Sequence, residues 1–195
     1  LIHSSMWGGD LESFIIQAAT RGLFRNSKVF LSAGDHVLPT LGKNMPKGVI
    51  VGARGPHGDL APDTPLANWF KESLKKELGI KMTTQPMHKG AIAALFLKKA
   101  YDQAAKENTS LPSTEEIIKI MEGLKWDTPS GSVEMALGNG HQAIQDMALG
   151  ITTWDKKEKR AKLVDIEYFK AECVNPPEGI KALDWIKSGF KGVNC

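Results

Sequence analysis

The chain has 195 residues, which is room for one domain of ordinary size or for two small lobes. Its hydrophobic share of 42% and charged share of 24% are typical of a chain that buries a core, and they exclude wholesale disorder. A net charge of +3, from 25 basic and 22 acidic residues spread along the chain, is too small to indicate nucleic-acid binding.

No stretch approaches the roughly 20 apolar residues of a membrane helix, and no signal-peptide pattern opens the sequence. The chain begins at Leu1, without Met and already within an apolar stretch. We therefore expect that a segment upstream has been removed.

The first part of the chain alternates predicted strands with a helix. Short apolar runs predict strands over residues 1–5, 28–32 and 47–53. Between the first two, apolar residues at Leu11, Phe14, Ile15, Ala18 and Ala19 recur at the spacing of one helical face, and Gly22 ends this helix. The Val49-Ile50-Val51 run is typical of a strand buried on both faces of a parallel sheet. The alternation predicts a doubly wound α/β arrangement.

The middle of the chain predicts consecutive helices. Asp63-Thr64-Pro65 starts one helix, which ends at Gly79, and a longer helix is predicted over residues 90–108. A capping box, Ser113-x-x-Glu116, opens a third helix that stops at Gly123. The pattern then changes to period two, and residues 147–154 and 163–169 predict a β-hairpin. This succession does not fit one closed sheet.

Motifs for metal, cofactor or hydrolytic chemistry are weak. Gly138-x-Gly140-x-x-Ala143 fits only the loosest dinucleotide fingerprint, and no parallel βα unit surrounds it. None of the five histidines pairs with another at helical i, i+4 spacing beside a carboxylate, and no Gly-x-Ser-x-Gly occurs. We therefore expect no metal and no cofactor.

Polar and aromatic residues gather at the carboxyl ends of the three predicted strands. They are Ser4, Ser5 and Trp7 after the first strand, Asp35 and His36 after the second, and Arg54 and His57 after the third. Ligands of open α/β sheets bind outside these ends, so the grouping predicts a small-molecule cleft. An enzyme that uses His36 or His57 as a base is an alternative, although the sequence reveals no oriented partner for either.

The two cysteines, Cys173 and Cys195, both lie near the end of the chain. They are too few to build a zinc site alone. In a cytosolic protein they would be unrelated thiols, whereas in an exported protein the pair would close a C-terminal loop. The residues themselves leave both interpretations open.

The order of several segments is informative as a set. MWGGDLESFIIQAATRGLF (6–24) is followed by VFLSAGD (29–35), MPKGVIVGARG (45–55) and TPSGSVEMALGNGHQAIQDMALGITTW (128–154). This succession resembles the type I periplasmic binding proteins, the substrate-binding components of ABC importers for branched-chain amino acids, urea and amides. The resemblance covers nearly the whole chain and corresponds to roughly the second half of a family member.

The resemblance implies portions of two Rossmann-like lobes, with a C-terminal β-hairpin. Residues 1–53 and 146–195 would belong to the C-terminal lobe, and 54–145 to the N-terminal lobe. It implies an extracytoplasmic, periplasmic protein that is not an enzyme. Such a protein delivers a small polar ligand, an amino acid, an amide or a related carboxylate, to a membrane permease. A ligand-sensing domain of the same fold, in a receptor or regulator, is the alternative.

The resemblance also implies particular residue roles. Trp7 takes the place of an aromatic residue that contacts the ligand, with Ser5, Asp35, His36 and Arg54 completing the expected site. Gly34 stands where amino-acid-specific members carry an acidic residue, which argues against an α-amino acid ligand. The oxidising periplasm implies a Cys173–Cys195 disulfide.

Overall fold

The computed structural model describes residues 1–107, 111–193 and 195. Its strands are β1 (Ile2–Ser4), β2 (Val29–Leu31), β3 (Ile50–Arg54), β4 (Lys125–Thr128), β5 (Gly131–Leu137), β6 (Gln142–Gln145), β7 (Met147–Asp155) and β8 (Arg160–Phe169). Its helices are α1 (Gly8–Thr20), α2 (Leu23–Asn26), α3 (Leu38–Leu41), α4 (Pro65–Leu78), α5 (Gln85–Glu107), α6 (Thr114–Met121), α7 (Ala171–Val174) and α8 (Ala182–Lys187). Within the described residues, no helix combines the length and apolar character needed to cross a membrane.

The strands form two separate sheets. The larger has the order β1-β2-β3-β7-β8, and the smaller has the order β4-β5-β6. In the larger sheet β1, β2 and β3 run parallel, while the β7–β8 hairpin adds antiparallel strands. The predicted α/β class and the predicted terminal hairpin are therefore confirmed.

The core of the larger sheet forms where α1 packs its apolar face. Leu11 and Ile15 of α1 are fully buried together with Leu31 and Val51 from the strands. Burying side chains of this size contributes roughly 1.5–3 kcal/mol each. This core fixes the carboxyl ends of β1, β2 and β3 beside one another, which is where the predicted site residues lie.

The parallel environment predicted for β3 is only half right. β3 runs parallel to β2 but antiparallel to β7 on its other edge. Val51 and Ala53 are buried as expected. A continuous apolar run indicates that both faces of a strand are buried. Both faces can be buried whether the neighbouring strand runs parallel or antiparallel. The apolar run therefore could not predict that β7 would be antiparallel to β3.

Helix boundaries follow the local signals, with one difference. Thr64 caps α4 by accepting from the Ala67 N–H, and Ser113 and Glu116 form the reciprocal capping box of α6. The long helix begins at Gln85, five residues before the predicted start, and its predicted end at Asn108 lies outside the described residues.

The chain leaves the larger sheet at Arg54 and returns to it at Met147, and these two passes lie side by side. The Gly55 N–H donates to the Asp146 carbonyl oxygen at 2.8 Å. Gly55 has φ +65°, and a Cβ there would collide with the side-chain amide of Gln145 and the ammonium of Lys89. The positive φ favours glycine here, whereas the ends of the Gln145 and Lys89 side chains could move aside.

The turn that follows β3 is fastened to β8. Asp59 accepts two hydrogen bonds from the Arg160 guanidinium, at 2.8 and 2.9 Å, and one from the Leu163 N–H at 3.0 Å. Such a bidentate, partly buried pair fixes geometry as well as contributing energy. It holds the segment that carries His57 against the sheet.

The C-terminal tail is tied back to the end of the sheet. Cys173 in α7 and Cys195 form a disulfide, with their Cα atoms 5.8 Å apart. Between them, Trp185 of α8 is buried and packs edge-on against Phe190, with ring centroids 5.0 Å apart.

Reduction of this disulfide should destabilise the protein. Closing a loop of 22 positions is expected to contribute about 3 kcal/mol, so dithiothreitol should lower the midpoint of urea unfolding by a corresponding amount. The Cys173→Ser/Cys195→Ser variant should match the reduced protein and be insensitive to the reductant. Two reactive thiols in denatured, non-reduced protein isolated from an oxidising compartment would contradict the pairing.

Candidate functional site

A buried carboxylate–imidazole pair joins two of the predicted strand ends. Asp35, after β2, and His57, after β3, are both fully buried, and their Oδ2 and Nδ1 atoms are 2.7 Å apart. The Gln85 N–H of α5 donates to the same carboxylate oxygen at 3.2 Å. Because a carboxylate only accepts, His57 carries its proton on Nδ1. The pair therefore links the larger sheet to the helical part of the chain.

This pairing corrects one expectation. The sequence suggested no oriented partner for either candidate base, but Asp35 orients His57. Within the described residues, the His57 Nε2 and Asp35 Oδ1 atoms are buried and have no hydrogen-bond partner. Asp35, expected to face a ligand, is instead enclosed by its own neighbours.

A second buried histidine extends the polar network into the helical part. His88 of α5 accepts from the Gly58 N–H at 3.4 Å through Nε2, which also lies 3.0 Å from the Thr83 hydroxyl. Its Nδ1 lies 3.0 Å from the Ser130 hydroxyl in the β4–β5 turn. Since Nε2 accepts, the His88 proton sits on Nδ1 and is donated to Ser130. The Phe70 ring packs edge-on against the imidazole.

Gly58 connects the two histidines, because it follows His57 in the chain and donates its N–H to His88. It has φ +61°, and a Cβ there would lie 2.8 Å from the Thr83 carbonyl oxygen. A side chain at this position would push the turn away from Thr83, which precedes α5. The glycine lets the segment after β3 approach both Asp35 and His88.

The predicted aromatic residue lies at the edge of this network. Trp7 stacks on His36, with ring centroids 4.7 Å apart and planes inclined by 28°, and remains 53% exposed. Its Nε1 donates to the Gln85 side-chain oxygen at 3.3 Å. The Gly8 N–H donates to His36 Nε2 at 2.9 Å, so the His36 proton sits on Nδ1. Trp7 therefore offers a free ring face beside a fixed imidazole.

The remaining predicted residues are placed differently. Ser5 is exposed and precedes Trp7 on the same loop. The Arg54 Nη2 donates to the Ala143 carbonyl oxygen at 2.7 Å and to the Asn175 side-chain oxygen at 2.9 Å. Trp7, Asp35 and His36 come together, whereas Arg54 is anchored where the chain crosses between the two sheets.

Three residues at the start of α5 were not among the predicted site residues. Gln85, His88 and Lys89 all contact the segments that carry the predicted site, but the predicted helix began at Gly90. A usable signal was present, because Thr84 precedes Gln85-Pro86 and a proline in the first helical turn marks a helix start.

Within the described residues, no group of three or more side chains suited to a metal occurs.

Burial controls the charge of two histidines. Desolvation lowers the pKa of His36, although Asp35 and Glu12 oppose the shift. Desolvation, assisted by His57, Lys71 and Lys89, lowers the pKa of His88 to about 3. Both imidazoles are therefore neutral at pH 7, in keeping with their acceptor roles.

A separate opening lies on the surface away from these residues. A groove of about 730 Å³ runs along α1 and α2, with Met6, Phe14 and Leu23 among its lining residues and Asp10 and Arg21 as its charges. None of the predicted site residues lines it. Its volume would hold a small molecule, but it lacks the convergent buried polar groups that fix a ligand's orientation.

Comparison with known sequences finds one family. A family-wide profile described as "Periplasmic binding protein" matches residues 2–159. No curated protein matches the chain.

Solved structures with the same fold are solute-binding proteins of ABC transporters. One from Rhodopseudomonas palustris BisB5, in complex with 3,4-dihydroxybenzoic acid, is 20% identical with a TM-score of 0.68, over 87% of this chain and 44% of that one. One from R. palustris in complex with benzoate is 16% identical with a TM-score of 0.65, over 92% and 45%. The leucine-binding protein LivK of Thermotoga maritima MSB8 is 17% identical with a TM-score of 0.62, over 85% and 43%. The chain thus spans less than half the length of these proteins.

The neutral state of His88 should make stability depend on pH. The unfolded chain takes up a proton at His88 below about pH 6.5, whereas the folded protein resists protonation down to about pH 3. The contribution of His88 to the free energy of unfolding is therefore fully present above pH 6.5. It decreases as the pH falls, by at most about 1.4 kcal/mol per pH unit. Urea unfolding between pH 7.5 and 4.5 measures it.

The His88→Gln variant should be less stable than the wild type at pH 7.5. The difference in their free energies of unfolding should become smaller as the pH falls. His3→Gln, which removes an exposed imidazole, is the matched control. Parallel pH profiles for the His88→Gln variant and the wild type would show that His88 is not held neutral by its surroundings.

Proposed function

Since the chain belongs to the periplasmic binding protein family, we propose that it is part of an extracytoplasmic solute-binding protein that delivers a small polar ligand to an ABC importer. The observation that carries this proposal is that Gln85 of α5 contacts both Trp7, which follows β1, and Asp35, which follows β2. In open α/β sheets, ligands bind in the crevice outside the carboxyl ends of the parallel strands, which is where these residues lie. The Cys173–Cys195 disulfide favours an oxidising compartment.

The two sheets correspond to two lobes in this proposal. Residues 1–53 and 146–195 form part of one lobe and residues 54–145 part of the other, with chain crossings near 53–54 and 145–147. The division is supported by the separate sheets and by the adjacent passes joined through Gly55 and Asp146. Ligand binding would favour the closed arrangement of the lobes only to the extent that the ligand contacts both of them.

The exposed face of Trp7 is the proposed contact for the apolar or flat part of the ligand. An indole ring buries a large area at low conformational cost, and its partner His36 keeps it in place. The benzoate and dihydroxybenzoic acid held by similar proteins have such a flat part. We expect a small ligand that combines a flat group with polar substituents.

The Asp35–His57 pair favours one second candidate, general-base catalysis. Its geometry, with a carboxylate orienting an imidazole, resembles that of catalytic pairs. However, both side chains are fully buried, so a substrate has no access to His57 Nε2 without rearrangement. The burial of this pair therefore supports ligand binding without a chemical reaction better than it supports catalysis.

Thermal shift against a library of amino acids, amides and small carboxylates tests this function, because a specific ligand stabilises only the folded state. The best ligand should then bind the Trp7→Ala variant about tenfold or more weakly by calorimetry, because stacking area is lost. Trp69→Ala, which removes another exposed tryptophan in α4, should bind normally.

Equal affinity for the Trp7→Ala variant and the wild type would remove Trp7 from the site. Turnover of the ligand, detected by mass spectrometry after incubation with the protein, would favour the enzymatic candidate instead.

A further inference from the structure

Three segments of the chain meet where it leaves the larger sheet and returns to it. The Gly55 N–H donates to the Asp146 carbonyl oxygen at 2.8 Å, and the Ala171 N–H donates to the Asp146 carboxylate at 2.8 Å. The Asn175 side chain donates to the Ala171 carbonyl oxygen at 2.7 Å and accepts from the Arg54 guanidinium at 2.9 Å. Because Arg54 and Gly55 are adjacent in the chain, these bonds form a closed ring, which we call the joint.

Asn175 is the buried side chain of the joint. It is only 5% exposed, and its side-chain nitrogen and oxygen are both paired. A buried amide that lost either partner would carry an unsatisfied polar group, which costs free energy. Asn175 therefore couples the position of the Arg54 side chain to the backbone of residues 171–175.

The part of the joint at residues 171–175 depends on support from outside its own backbone. The helix there, α7, has only four residues, and helices of this length are not stable without tertiary contacts. Cys173 lies inside this helical turn and is bonded to Cys195. The tail that ends in Cys195 is in turn held by Trp185 of α8, which is buried. The disulfide thus restrains the backbone that carries one side of the joint.

We propose that the Cys173–Cys195 disulfide is a redox-sensitive clamp on the joint. While the bond is intact, it holds α7 in the conformation that the ring of hydrogen bonds requires. When the bond is reduced, α7 loosens, the ring opens, and the two passes between the sheets lose a common anchor. This role goes beyond the solute-binding function and does not depend on which ligand binds.

A dithiol is the class of reductant that acts on this bond. Cys195 is exposed and Cys173 is partly exposed, so the bond lies near the surface. One thiolate of the dithiol attacks a cysteine sulfur and expels the other cysteine as a thiolate, and the second thiolate then displaces the first cysteine. The dithiol becomes a disulfide, and the two cysteines take up two electrons and, as thiols, two protons.

Hydrogen exchange of single amides, followed by NMR, tests the clamp. Adding dithiothreitol to the wild-type protein should speed exchange of the Gly55 and Ala171 N–H groups about tenfold, because the joint opens more often. The Ala67 N–H, which is bonded at the start of α4 and away from the joint, should keep its original rate. The Cys173→Ser/Cys195→Ser variant should exchange as the reduced protein does and should not respond to the reductant.

Two further variants separate the joint from global stability. Asn175→Ala removes both side-chain bonds while leaving the disulfide intact, so it should also speed exchange at Gly55 and Ala171. Its matched control, Asn68→Ala, removes an exposed amide in α4 and should change neither rate. Leu11→Ala weakens the core of the larger sheet at a comparable cost in global stability, and it should leave both rates close to those of the wild type.

A disulfide that holds only the tail predicts a different result. If reduction sped exchange only within residues 176–195, or if Asn175→Ala left the Gly55 and Ala171 rates unchanged, the clamp would be disproved. The same holds if Leu11→Ala sped exchange at these two amides as strongly as reduction does, since the effect would then be one of global stability. None of these results touches the solute-binding function, which the ligand library tests separately.

Discussion

The buried contact between Asp35 and His57 is the constraint on which the rest of the site depends. A fully buried carboxylate is tolerated only when its charge is met by hydrogen bonds, and here an imidazole N–H and the Gln85 N–H provide them. The same three residues come from the ends of β2 and β3 and from the start of α5. Satisfying one charge therefore fixes the relative position of three segments.

From this contact, the polar network extends in two directions. Through Gly58 it reaches His88 and the Ser130 turn of the smaller sheet, and through Gln85 it reaches Trp7. The hydrogen bonds of this network hold the segments together, although Asp35 Oδ1 and His57 Nε2 have no partner within the described residues. We therefore regard the network as the scaffold of the site, and the exposed Trp7 at its margin as the proposed contact with the ligand.

Helix ends and the hairpin, which depend on local signals, could be predicted from the sequence. Contacts between residues far apart in the chain could not. The capping box at Ser113, the end of α4 at Gly79 and the β7–β8 hairpin were all predictable, because each is encoded within a few residues. The Asp35–His57 pair spans 22 positions and the Lys89 contact with Arg54 spans 35, so no local pattern records them. Trp7 and His36 were identified as candidates from their places after strands, but their stacking was not predictable.

Hydrogen–deuterium exchange with a ligand identified by thermal shift tests most directly whether the ligand binds at the carboxyl ends of β1, β2 and β3, beside the start of α5. Saturating ligand should slow exchange in peptides that cover residues 5–8, 35–37, 54–58 and 85–89, because binding there would stabilise the segments joined by the Asp35 network. Protection confined to residues 10–26 would place the ligand in the groove of α1 and α2 and would contradict a site at these strand ends.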